Sequence, residues 1–167
     1  MRVINFKYIF PALLFLVLSC ASIKKGTSPW HLETYKNERF SYSLVLPKEF
    51  NKQFSQNGDG VKLTSPTYKG VEISAWGSHN ALSYTLEREI AEIRKGKKLI
   101  SLQDTHSQST KGKILILEGK NQKIMRLVSL HNDIFYGVEC SAPKQEFSQY
   151  QKLFEDIIQS FKLISNN

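Results

Sequence analysis

The side chains of this 167-residue chain best suited to chemistry are two cysteines, four histidines and fifteen carboxylates. Cys20 closes a leading segment in which Arg2 and Lys7 give a cationic start and Tyr8–Leu18 forms a run without charge. A basic start followed by a short apolar run is the pattern of a secretory signal, and it falls short of the roughly 20 residues that span a hydrocarbon core. Cys140 is the second thiol. It alternates with Tyr136 and Val138 on one side of an extended segment, so it is expected to be a buried, inert thiol.

The remaining polar residues form no catalytic pattern. His31, His79, His106 and His131 lack metal-ligand neighbours at helical spacing, and there is no H-E-x-x-H or paired-cysteine motif. Glu87, Glu89 and Glu92 are interspersed with Arg88, Arg94 and Lys95, the composition of a solvated helix face. Glu139 points outward between Val138 and Cys140, where a lysine on a neighbouring strand would suit it. No G-x-S-x-G elbow or phosphate loop is present, so no enzyme, metal or cofactor is expected. The basic run Arg94-Lys95-Gly96-Lys97-Lys98 is better explained by a helix carboxyl end than by nucleic acid, with weak attachment to anionic lipid or envelope polymer as the alternative. Trp76 either closes the core beneath a helix or joins Tyr68, His79 and Tyr84 in an aromatic binding face.

The elements that must position these residues follow from periodicity. Residues 20–30 are polar and small enough to serve as a tether, with the folded body beginning near Trp30–Tyr35. Phe40–Leu46 alternates as a strand ended by Pro47, and Val61–Ser65 and Val71–Ala75 are short strands after the Asn57-Gly58-Asp59-Gly60 turn. Leu82, Leu86, Ile90 and Ile93 mark one face of a helix, capped by Asn80 or Ser83 and ended by Gly96. Lys98–Leu102 is extended and Gln103–Lys111 is expected to bend or loop. Ile114–Glu118, Ile124–Leu130 and Ile134–Cys140 are antiparallel strands joined by short turns. A second helix begins around Pro143 and presents Phe147, Tyr150, Phe154, Ile157, Ile158 and Phe161. Strands, helix, strands, helix predicts an α+β fold: one antiparallel sheet packed against two amphipathic helices.

Two resemblances extend this. Val17-Leu18-Ser19-Cys20 resembles the bacterial lipobox, which implies cleavage before Cys20, lipid on its thiol and a membrane-anchored envelope lipoprotein. Residues 1–19 would be the signal peptide, 20–30 the lipidated tether and 31–167 the folded domain. Ala21 stands where an inner-membrane retention signal would have aspartate, which favours the outer membrane if the source has two membranes.

The order of elements also looks like the PsbP-like family, related in fold to the Ran-binding proteins of nuclear import. The matching residues are Phe40-Ser41-Tyr42-Ser43-Leu44-Val45-Leu46-Pro47, Gly58 to Pro66, Ser141-Ala142-Pro143 and Phe154 to Phe161. That family includes accessory subunits of photosynthetic complexes and proteins with no known activity, and the matching positions are structural. The resemblance implies an α/β/α sandwich and a non-catalytic docking role on an envelope protein, with a small-ligand or lipid-binding module as the alternative.

Overall fold

A computed structural model describes residues 30–107 and 110–164. Ten strands and two helices follow in the order β1 (Leu32–Asn37), β2 (Tyr42–Pro47), β3 (Asn51–Phe54), β4 (Gly60–Thr64), β5 (Glu72–His79), α1 (Leu86–Arg94), β6 (Lys98–Ser107), β7 (Thr110–Glu118), β8 (Gln122–His131), β9 (Ile134–Pro143), α2 (Phe147–Gln159) and β10 (Lys162–Leu163). The α+β class is as expected, but the strands divide into two sheets instead of one. β1-β2-β10 form a small sheet, and β3-β4-β5-β9-β8-β7-β6 form a seven-stranded one, antiparallel throughout. The division falls after Pro47, which has no N–H to extend the β2 ladder; within three residues Phe50 turns into the core and the chain has crossed to the other sheet.

Alternation along the strands separates the two faces of the large sheet. Ile73, Ala75, Met125, Leu127, Val138 and Cys140 pack toward α2 and the small sheet, in one cluster with Tyr42, Leu44, Phe154 and Ile157. Their neighbours Leu115, Leu117, Ile124, Val128 and Phe135 pack on the opposite face against Ile90 and Ile93 of α1. The layers are helix, sheet, helix, with the small sheet beside α2. Trp30 enters this core at once, its ring centre 5.9 Å from Phe50 and 6.2 Å from both Tyr68 and Tyr150.

Three boundaries differ from expectation. The first helix starts at Leu86 with Thr85 as its cap, the threonine hydroxyl accepting from the Arg88 N–H at 3.2 Å. Ser83 has φ +49°, a conformation no helix contains, while the Asn80 side chain bonds both the N–H and the carbonyl of Tyr84. Leu82 is consequently 70 % exposed on that turn and contributes nothing to the helix face.

The second helix likewise starts later. Ser141, Ala142 and Pro143 are the last residues of β9, paired as far as Gln122, and Pro143 accepts the turn bond from the Glu146 N–H. Finally, most of the stretch expected to bend or loop is strand, with the chain reversing between Ser107 and Thr110. β6 runs on to Ser107 opposite β7, held by cross-strand pairs such as Asp104 with Lys113 at 2.6 Å. Polar composition there reflects two solvated faces rather than a break in the strand.

Candidate functional site

The β8–β9 hairpin closes through Asn132 and Asp133, both at positive φ, which fixes its register. That register sets Arg126 directly opposite Glu139, and the Arg126 guanidinium bonds the Glu139 carboxylate at 2.9 Å. The expected cross-strand cation is therefore present, as an arginine. A second carboxylate, Glu89 on α1, lies 4.0 Å from the other guanidinium nitrogen.

The next strand over brings Trp76 opposite Gly137. Only glycine fits there, because a β-carbon on residue 137 would come within 2.3 Å of the indole ring. Trp76 thus rests on the bare backbone of β9, and the Arg126 guanidinium lies above its ring, 4.8 Å from the centre. The indole does not join the α1 core cluster. It is a half-buried wall at the boundary between the helix-covered and the uncovered part of this face.

Beyond Trp76 the outer face of β3–β5 has no helix over it. A groove of about 450 Å³ runs there, lined by Gln53, Phe54, Lys62, Ser74 and Trp76 among others. Phe54 is 61 % exposed at its rim and stacks on Tyr35 at 6.2 Å. Lys62, one of the lining residues, pairs with Glu72 at 2.9 Å. Apolar rings flanked by polar and charged groups suit a protein side chain or an amphipathic ligand.

The other aromatic candidates are dispersed. Tyr84 packs with the α1 cluster under the guanidinium of Arg88, whose carbon is 5.5 Å from the ring centre. His79 has the parity of the α2 face and lies 5.4 Å from Phe40. Tyr68 sits at the far end of the sheet with Trp30 and Tyr150. Lys62, Arg126 and Glu139 share the Trp76 side instead, whereas Phe54, opposite Val61, has the parity of the other face and reaches the groove from the edge strand β3. Pairing arithmetic from the Asn132-Asp133 turn was the signal that could have found Arg126.

His79 and His131 both pair with Ile134, from opposite sides, so the strand carrying Ile134 lies between them. No group of three metal-ligating side chains occurs among the described residues. Cys140 is fully buried, and burial drives its thiol far above the ordinary range, so it is held protonated. Cys20 lies outside the described residues. A smaller cleft of about 340 Å³ opens between α2 and β6–β8, floored by Ile114, Ile116 and Met125 and edged by Gln151 and Glu155.

Residues 31–163 match the family model described as PsbP. No curated protein sequence gives a match. Among solved structures, the cyanobacterial PsbP (CyanoP) of Synechocystis superposes with a TM-score of 0.62 at 13 % identity, over 83 % of this chain and 95 % of that one. The Ran-binding protein Mog1p of Saccharomyces cerevisiae gives 0.51 at 12 % identity, over 81 % and 97 % of the two chains. A protein of unknown function from Pseudomonas aeruginosa gives 0.51 at 10 % identity, over 82 % and 99 %. At these identities the structural likeness concerns the fold alone. Among the described residues no helix is long and apolar enough to cross a membrane.

Proposed function

Because the chain belongs to the PsbP family, we propose that it is a non-catalytic accessory domain, held at the cell envelope by lipid on Cys20, that docks on an envelope protein. The observation that carries the docking half is the groove beside Trp76. It combines an exposed phenylalanine, a rigidly seated indole and an uncovered stretch of sheet within one concave surface. Partners bind such surfaces through a few aromatic anchors inside a polar rim. The lipid half rests on the Cys20 motif: two or three acyl chains, each methylene contributing about 0.8 kcal/mol, anchor stably without a membrane-spanning helix.

Site-specific photocrosslinking in intact cells tests the reading. A photoreactive residue in place of Phe54 should give one discrete adduct, lost in a Cys20→Ser form, while the same residue in place of Lys111 gives none. Equal, diffuse crosslinking from both positions would overturn it. The cleft under α2 favours small-ligand binding as a second reading, because it is enclosed by both helix and sheet. Native mass spectrometry of the membrane-extracted protein should then show a retained mass that is displaced by Met125→Trp.

A further inference from the structure

The strand registers gather the positive charge of the domain at one end. β6 begins at Lys98 opposite Glu118, β8 begins opposite the end of β9, and β5 begins at Glu72 opposite Ser141. The α1–β6 turn, the β7–β8 turn and the loop before β5 therefore lie side by side, with the Lys144 N–H bonded to the Asn121 carbonyl at 3.2 Å. They carry Lys69, Arg94, Lys95, Lys97, Lys98 and Lys120, all exposed. The neighbouring carboxylates Glu49, Glu72, Glu92 and Glu118 are bonded to His31, Lys62, Lys95 and Lys144 respectively, and Glu146 adds one more negative charge. Eight cations thus stand among five carboxylates, and the end is net positive.

The chain enters the domain at this same end. Trp30 packs against Tyr68, which directly precedes Lys69, and against Tyr150 at the start of α2. The last strand, β10, finishes at the opposite end, beside Tyr42. Nine residues, 21–29, separate Cys20 from Trp30, and the segment reaches at most about 35 Å when fully extended. Two of them, Lys24 and Lys25, add further positive charge.

We propose that this basic end is a membrane-facing surface that binds an anionic phospholipid bilayer and orients the domain on it, with the Tyr42 end directed away. The proposal rests on the lipid-anchor reading of Cys20. Anchoring keeps the cluster within its short reach of the headgroups, so a weak attraction suffices to set orientation. Screening over about 8 Å at physiological salt restricts that attraction to charges at the entry end itself.

Lysine acetylation footprinting of the membrane-extracted full protein tests this, after reconstitution into phosphatidylcholine vesicles with or without phosphatidylglycerol. With phosphatidylglycerol, the reactivity of Lys69, Lys97, Lys98 and Lys120 should fall roughly fivefold and recover at about 1 M salt. Lys36, Lys111 and Lys162, exposed elsewhere, should not change. In Lys69→Gln/Lys98→Gln/Lys120→Gln, the protection at Lys97 should shrink. Uniform reactivity on a chain whose Cys20 peptide carries lipid overturns the orientation alone. A Cys20 peptide without lipid overturns both it and the anchoring.

Discussion

The guanidinium carbon of Arg126 lies 4.8 Å above the centre of the Trp76 indole, so a charged group from β8 roofs a ring from β5 across the intervening strand β9. The arrangement is possible because Gly137 on β9 leaves the indole a flat seat and Glu139 holds the guanidinium at 2.9 Å. Two carboxylates and one ring share a single cation, which fixes a wall of the groove.

Removing that cation should loosen the wall. In Arg126→Ala the cation–π contact and the charge-assisted bond to Glu139 are lost together, about 2 kcal/mol at a side chain that is only 17 % exposed. In a Trp30→Phe background, Trp76 is the remaining tryptophan, and its emission should move to the red. A urea midpoint and an emission maximum that both stay put would show that the roof has no structural weight.

Burial of Phe154 makes the second helix decisive for folding. Its ring is fully enclosed, 5.7 Å from Phe147 and 6.0 Å from Tyr150. Phe154→Ala should cost about 3–5 kcal/mol, a large share of the 5–15 kcal/mol that stabilises an ordinary domain. Leu82→Ala is the control, because that side chain is 70 % exposed, and should change stability by less than about 0.5 kcal/mol. Urea unfolding followed by circular dichroism distinguishes the two.

The pair Phe154 and Leu82 also shows what the sequence conveyed. Apolar periodicity identified both helices and nearly every core strand, since burial selects for it directly. Leu82 fits the helical spacing as well as Leu86 does. What excludes it is a left-handed turn at Ser83 and the Asn80 bonds to Tyr84, neither of which periodicity records. Pro143 suits a helix start and a strand end equally, and only its pairing with Gln122 decides. The Trp76 site is half legible. Sequence marks the ring as a candidate, but aromatic character groups Tyr68, His79 and Tyr84 with it, whereas His79 has the opposite strand parity and Tyr68 and Tyr84 lie in connections that pack elsewhere. Strand order, which brings β9 between β5 and β8, is a property of long-range pairing that local pattern does not contain.

Alkaline pH should destabilise the domain in a defined order. Burial raises the thiol of Cys140 and the phenols of Tyr42 and Tyr136 above their ordinary values of 9.0, 10.0 and 10.0. In the unfolded chain these groups release their protons near those values, whereas the native state keeps them protonated. The unfolded state thus holds fewer protons at high pH, and stability, fully present below about 9, is lost as pH rises. Urea midpoints should be flat from neutral pH to about 9 and then fall, with the onset shifted upward by about one unit in Cys140→Ala. A thiol-specific reagent should leave Cys140 untouched in native Cys20→Ser protein and react once urea unfolds it.

Docking through the groove makes its own demand on Phe54. The ring is 61 % exposed and closes no core, so nothing in the folding of the chain requires an apolar residue there beyond its stacking on Tyr35. Phe54→Asp should therefore change stability by less than about 0.5 kcal/mol. If Phe54 anchors a partner, the same substitution places a carboxylate where an apolar contact forms, and desolvating it opposes binding. A photoreactive residue in place of the adjacent Gln56, which also lines the groove, reports occupancy without touching Phe54 itself. Its adduct yield should fall about tenfold in the Phe54→Asp chain. Trp76 is the poorer place to cut, because its ring is clamped between Gly137 and Arg126 and its loss would disturb both neighbours. An undiminished adduct in Phe54→Asp would move the docking surface away from β3–β5 altogether.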